Sequence, residues 1–348
     1  MHDIRSRLEK ILGKVQSPAR YIGGEANSIC KSMDDVEGSM VLIFPDTYEV
    51  GMSNNGYRIL YHMINGQKDL KAEYAFAPWV DMAELMKENN IPVYSHETYT
   101  SIANFDVVGI TLQTELNFTN VPYILELSDI PVWSAERTDK DPIVIGGGPV
   151  MSNPEPVADF YDAFLIGDGE VVAPQVVRMV GTMKKSGKSR EEILLSLSEL
   201  PGMYIPSLMQ MQLSERGEWV PADETEAKGS FKRTKGIKRT WVEVLDKNNY
   251  PIHNLIPNTQ LVHDRFSVEV MRGCTQGCRF CQAGYWYRPN RELNPDHVIE
   301  LAKAGLESTG EKELGLLSLS TADYSQIEKV ADILIDDEYF ANIDVSLP

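Results

Sequence analysis

The sequence predicts an α/β chain: an N-terminal doubly wound parallel sheet, followed by the first half of a (β/α) barrel. Three observations carry this reading. Short apolar runs alternate with helix-period segments up to residue 185, the pattern of buried parallel strands joined by crossover helices. Several of those runs end in glycine or turn residues, as strands do where they enter a loop. From Arg265 a β-α-β-α-β order resumes and continues to Pro348, which implies parallel strands with right-handed crossovers.

The elements follow in order. Asp3 to Val15 places Ile4, Leu8, Ile11 and Leu12 on one helical face, a packing helix. Strands are expected at 39–45, 74–77, 92–94, 105–111, 142–148 and from Ala163, with helices at 57–63, 79–89, 120–127, 171–185 and 190–197. Met203–Ile205 and Thr240–Val244 read as short strands, with a polar stretch from Ser214 to Lys238 between them. Met209 and Met211 read as packing residues, because a thioether side chain fills irregular gaps.

Farther on, Arg265–Met271 alternates and is β-branched, so it reads as a strand. Asn294 is an N-cap with Pro295 in the first helical turn. Strands at 313–320 and 343–348 bracket a helix from Tyr324 to Ile335. The resulting division is 1–35 as a lead-in, 36–185 as the front domain, 186–262 as a linker and 263–348 as the start of the barrel. Only about three β/α units fit after residue 262, so a truncated barrel, inactive by itself, is expected; such a barrel would leave strand edges exposed.

Composition bounds the function. Of 348 residues, 43% are hydrophobic, and the formal charge is −18. That charge disfavours a general nucleic-acid groove. The basic run Lys228, Lys232, Arg233, Lys235, Lys238 and Arg239 reads first as a solvated linker and second as a small anion contact, RNA among the options. No run of about 20 apolar residues exists, so no membrane span is expected. With no signal peptide in evidence, the expected compartment is the cytoplasm, where thiols stay reduced.

Three of the four cysteines, Cys274, Cys278 and Cys281, lie within eight residues in C-x3-C-x2-C spacing. Three thiolates do not close a tetrahedral zinc site. They can hold three irons of a [4Fe–4S] cluster and leave the fourth open. Zinc completed by His263 or His297 stays as an alternative. Cys30, far away, reads as a buried small hydrophobe. Arg272 and Arg279 flank the loop, where positive charge favours thiolates. Tyr285, Trp286, Tyr287 and Arg288 follow it, either to exclude water or to pack a long loop.

With Phe280 just before the last cysteine, this loop resembles that of radical S-adenosylmethionine (SAM) enzymes. The resemblance implies that the amino and carboxylate groups of SAM chelate the open iron. Reductive cleavage then gives methionine and a 5′-deoxyadenosyl radical, with Phe280 beside the adenine. It also implies an electron donor such as flavodoxin or ferredoxin, and a barrel of six units. Where the family often carries a G-G-E-like run for the SAM amine, this chain reads Ser318-Leu-Ser-Thr-Ala-Asp323, with Ser320 and Asp323 as stand-ins.

The front domain resembles the cobalamin-binding, flavodoxin-like domain that precedes many such barrels. Three loops carry this likeness: Asp46, Tyr48 and Gly51 after the first strand, Thr111-Leu112, and Gly146-Gly147-Gly148. A further Gly167-Asp168-Gly169-Glu170 run is frequent in these proteins. The family's D-x-H-x-x-G has Tyr48 in place of histidine, so this loop offers cobalt no imidazole. Tyrosine there packs below cobalt, bonds a water, or marks loss of cobalamin; the three stay open. Function is therefore expected to be radical SAM chemistry, with cobalamin-assisted methylation of an unknown substrate first. Two alternatives remain: radical modification of RNA or protein without cobalamin, and a non-catalytic iron–sulfur protein.

Overall fold

The computed structural model describes residues 2–209, 211–217, 219–221 and 237–347. In chain order the helices are α1 (His2–Glu9), α2 (Tyr48–Gly51), α3 (Asn55–Asn65), α4 (Val80–Glu88), α5 (Asn120–Glu126), α6 (Val172–Lys185), α7 (Arg190–Leu197), α8 (Ala283–Trp286), α9 (Pro295–Thr309) and α10 (Ile327–Asp336). The strands are β1 (Gly38–Phe44), β2 (Leu70–Phe76), β3 (Val107–Thr111), β4 (Ile143–Gly147), β5 (Ala163–Leu165), β6 (Met203–Tyr204), β7 (Met211–Leu213), β8 (Trp219–Pro221), β9 (Phe266–Glu269), β10 (Met271–Arg272), β11 (Arg291–Glu292), β12 (Glu313–Leu317) and β13 (Asp344–Ser346). The chain forms two compact units: Met1–Pro18, Cys30–Thr47 and Ile64–Trp241, and Ala19–Ile29, Tyr48–Met63 and Val242–Pro348.

The first unit is built on a six-stranded sheet ordered β2-β1-β3-β4-β5-β6. β1 to β5 run parallel and β6 closes antiparallel on β5. β1 and β2 are buried along their whole length, as a strand covered on both faces must be. The order reverses at β1 and β3, and in doubly wound sheets ligands bind outside the strand ends at that reversal. α6 turns Val172, Val176, Val177 and Val180 into the core.

The second unit contains the parallel sheet β13-β12-β9. Phe266 and Val268 from β9, Leu314 and Leu316 from β12, and Val298, Leu301 and Leu306 from α9 form its core. α9 starts as expected: the Asn294 side chain accepts the Asp296 N–H, and Pro295 sits in the first turn. Segments 19–29 and 48–63, placed with the lead-in and front domain by sequence, join this unit instead. Ile59 and Met63 of α3 explain why, since they pack into the core around Phe266.

Several expected elements differ. Residues 92–94 form no strand; Tyr94 makes a single bridge to Ser101, and the loop lies along β2, where His96 N–H donates to Tyr74 O and Tyr74 N–H donates to Glu97. Thr240–Val244 is no strand either: Thr240 makes one bridge to Gly167, and Val244 is exposed. The N-terminal helix ends at Glu9, with a separate turn at Leu12–Lys14 around the poor helix former Gly13. The expected 265–271 strand changes partner after Glu269, so that Met271–Arg272 pairs antiparallel with Arg291–Glu292. The 313–320 strand stops at Leu317, where Ser318 begins a hydroxyl-bonded turn with Ser320 and Thr321.

Cys30 is exposed rather than buried, because it lies in an irregular lead-in to β1 with its thiol near the Glu97 carbonyl. Met211 begins β7. Of the basic run, Lys228, Lys232, Arg233 and Lys235 lie outside the described residues.

Candidate functional site

The cysteine loop leaves the carboxyl end of β9 and is pinched at its neck by the β10–β11 pair. Gly273 sits at that neck with φ +97°, where a Cβ would lie 2.8 Å from the Tyr287 carbonyl oxygen. Only glycine suits that backbone and that approach. Arg291, buried, donates to the carbonyls of Tyr287, Pro289 and Val242 and so braces the returning strand.

Within the loop, Cys274 and Cys281 are half-buried and Cys278 is exposed; all three are free thiols. Gln276 N–H donates to Cys274 Sγ at 3.5 Å, and Gly284 N–H donates to Cys281 Sγ at 3.4 Å. N–H donors to sulfur are among the contacts that tune iron–sulfur sites. Among the described residues, no three His, Cys, Asp or Glu side chains converge on one point, with or without His263 or His297. A donor set of three sulfurs, two of them already hydrogen-bonded and a third open to solvent, fits an iron–sulfur cluster with one open iron.

The neighbours are arranged differently from expectation. Arg272 does not stand free beside the thiols: it pairs with Glu269 at 3.0 and 2.7 Å. Arg279 is exposed, and the Phe280 ring is 92% exposed. Tyr285 donates to the Gly277 carbonyl, and Arg288 lies 4.5 Å over the Tyr285 ring, so these residues brace the loop.

Asp323 and Ser320 sit in the turn after β12. Gln276 of the cysteine loop donates its side-chain amide to both Asp323 oxygens, at 2.9 and 2.7 Å. That amide, and then the Ser320 hydroxyl, hold the Asp323 carboxyl below its usual range. Thr321, buried, bonds Leu316 O and fixes the turn. Two segments singled out in the sequence, the cysteines and the Ser320–Asp323 stretch, therefore meet. The joining residue, Gln276, was not singled out; it carries no recognisable pattern because its partner is 47 positions away.

In the first unit, a cavity of about 480 Å³ opens at the carboxyl ends of β1, β2 and β3. Asp46, Thr47, Trp79, Thr119, Asn120 and Tyr123 line it. Asp46 is held by the Thr47 N–H and the Asn117 amide. Trp79 and Tyr123 were read only as helix residues; a tryptophan directly after the apolar end of a strand was the available hint.

The other loop residues lie elsewhere. Gly51 and Leu112 are buried, and Thr111 accepts from the Gln113 amide. A Cβ on Gly146 would meet the Phe164 ring at 2.5 Å, and one on Gly148 would meet the Leu112 carbonyl at 2.4 Å. Only Gly147 has open space around it. Tyr48 belongs to the second unit and is 1% exposed. Its hydroxyl donates to Glu25 and accepts from Asn258 N–H. Burial, then the Glu25 charge, pushes its phenol well above the ordinary value.

A parallel sheet start carrying a three-thiol loop, behind a flavodoxin-type sheet, defines an iron–sulfur protein of the radical SAM class. Comparison with known proteins agrees. Residues 56–206 match the family described as radical SAM proteins, N-terminal, and residues 268–347 match the radical SAM superfamily. The chain belongs to the radical SAM superfamily. It is 25% identical over 301 residues to uncharacterized protein MJ0966 of Methanocaldococcus jannaschii, across 86% of this chain and 53% of that protein. The chain thus spans about half the length of the curated relative it matches.

Among solved structures, it resembles the radical S-adenosylmethionine methyltransferase TsrM from Kitasatospora setae with cobalamin and a [4Fe–4S] cluster bound. That match has a TM-score of 0.50 and 14% identity, over 88% of this chain and 53% of that one. A second TsrM structure, with tryptophan and a SAM analogue, matches at 0.47 and 15%, over 88% and 54%. Among the described residues no helix is long and apolar enough to cross a membrane.

Proposed function

We propose that the chain supplies the cluster loop and the front domain of a radical SAM enzyme. The observation that carries this is the three-thiol loop at the carboxyl end of β9, pinned by β10–β11 and furnished with two N–H donors to sulfur. Cys274, Cys278 and Cys281 would hold a [4Fe–4S] cluster. Bound there, the cluster supplies one open iron for chelation and one electron for reductive cleavage of SAM. The chain's own residues do the rest. Phe280 presents an exposed aromatic face, Asp323 presents a carboxylate for the amino group, and hydrogen bonds from Gln276 and Tyr285 brace the cysteine loop. In the test, SAM added to the reduced, reconstituted protein is expected to change its electron paramagnetic resonance spectrum; an unchanged spectrum in loaded protein refutes the reading.

For the front domain, cobalamin-assisted methylation, or a related modification, is the first reading. It is supported by the strand reversal at β1 and β3 and by the cavity at the strand ends. TsrM, which shares the fold, holds cobalamin. The second reading is a front domain that no longer takes cobalamin. It is favoured by the Tyr48 hydroxyl being engaged by Glu25 and by Phe164 and Leu112 filling the space beside Gly146 and Gly148. Hydroxocobalamin offered during reconstitution decides between them. Stoichiometric uptake with an intense visible spectrum supports the first; no uptake selects the second and leaves the cluster assignment untouched.

A further inference from the structure

One residue touches both ends of the proposed SAM site. The Gln276 backbone N–H donates to Cys274 Sγ, while its side-chain amide donates to both oxygens of Asp323. Gln276 therefore ties a cluster sulfur to the turn after β12. The tie is neutral, and that has a chemical consequence. An ionised carboxylate has about four acceptor positions. The Gln276 amide and the Ser320 hydroxyl occupy part of them. Neither contact carries a charge, so neither neutralises the carboxylate, and acceptor positions remain for a further donor. A lysine or arginine in the same place would neutralise it and compete with an incoming ammonium.

We propose that Gln276 is a positioning residue that holds Asp323 against the cluster loop, so that its carboxylate meets the ammonium of SAM while a neighbouring thiolate holds the cluster. This rests on the radical SAM reading above. The division of labour is specific. Asp323 supplies the charge-assisted contact, which is stronger than a neutral hydrogen bond. Gln276 supplies orientation only and acts through Asp323.

Wild type, Gln276→Leu, Gln276→Lys, Asp323→Asn and the Leu/Asn double variant test this. Each is reconstituted anaerobically, assayed for iron, then titrated with SAM by equilibrium dialysis. Iron content is expected to be unchanged in all five. The SAM dissociation constant is expected to rise about tenfold in Asp323→Asn and about threefold in Gln276→Leu, in the range of a charge-assisted and a neutral hydrogen bond. Gln276→Lys is expected to weaken SAM as much as Asp323→Asn, because it cancels the charge.

The double variant is expected to bind no worse than Asp323→Asn alone, since contacting residues couple. In the metal-free protein, amide hydrogen exchange at residues 275–279 is expected to quicken in Gln276→Leu, which removes both donated bonds, and less in Asp323→Asn, whose amide oxygen still accepts one. Unchanged SAM affinity in Gln276→Leu, additive losses in the double variant, or loss of iron in Gln276→Leu overturns the proposal, because Gln276 then acts elsewhere. A wild-type chain that takes up no cluster refutes the radical SAM reading instead.

Discussion

Alanine at Cys274 is expected to reduce iron uptake from about four atoms per chain to less than about one. Two thiols remain, and two cannot hold a cubane that needs three protein ligands to leave one iron open. The loop has no substitute to offer: among the described residues no His, Asp or Glu joins the cysteines in a three-ligand group. The Gln276 N–H that met Cys274 Sγ loses its acceptor, so the tie toward Asp323 loosens too. Cys30→Ala is the control. Its residue is exposed overall and lies in the other unit, far along the chain from the three-cysteine loop; partial burial of the thiol, then the Glu97 and Glu73 charges, push its titration up. Iron and sulfide analysis after anaerobic reconstitution, with the visible absorption of the cluster, checks both. Wild-type loading in Cys274→Ala would sink the assignment.

Asp162→Asn is expected to destabilise the first unit by about 3–5 kcal/mol. Asp162 Oδ2 accepts from Arg137 at 2.9 Å and from the Val144 N–H at 2.7 Å, and it also pairs with Arg190. The Asp162 and Arg137 side chains are 2% and 0% exposed and that of Arg190 is 10% exposed. Two guanidinium groups thus share one buried carboxylate. Burial already works against the Arg137 charge, with Asp162 the first group to offset it. An isosteric amide keeps the shape and removes the charge, which leaves both cations buried without the carboxylate they share. The carbonyls of Pro131, Val132 and Phe160 still accept from Arg137, so the side chain stays placed while its energy rises.

A midpoint lowered by about 10 °C is the thermal equivalent for a unit of this size. The exposed pair Arg5–Glu9, whose side chains are 64% and 62% exposed, is the comparison. Breaking it should cost about 0.5 kcal/mol or less, because water screens it. Urea unfolding of the two variants side by side makes the measurement. Equal midpoints would show that the buried triad is not a stabilising unit.

Much of the fold was legible because it rests on local periodicity. β1, β3 and β4 are continuous apolar runs, and α9 has its cap and its proline in sequence order. Where hydrogen bonding passes between distant segments, the local pattern misled. Residues 92–94 look like a strand because Val93 and Tyr94 are buried. They are buried as a loop laid along β2, its backbone groups bonded partly to side chains. Residues 265–271 look like one strand, yet after Glu269 the chain leaves β12 for β11.

The site divides along the same line. The cysteine spacing was readable because all three cysteines lie in one loop, and Asp323 was singled out as a stand-in for a family run at a strand end. The Gln276–Asp323 contact, the Arg272–Glu269 pair and the Tyr48–Glu25 bond were not readable, since each depends on which way a side chain turns.

The sequence by itself determined that the chain is α/β with a parallel sheet in each half, and that three cysteines share one short loop after the first strand of the second sheet. Both are properties of residues close along the chain, where periodicity and spacing act directly. Only the tertiary structure decided that Tyr48 is buried against Glu25, that Phe164 and Leu112 fill the space beside two of the three glycines, and that Gln276 joins the cysteine loop to Asp323. Those outcomes depend on burial and on hydrogen-bond partners up to 210 positions apart, as between Tyr48 and Asn258. A polar group removed from water must find such a partner wherever folding brings one.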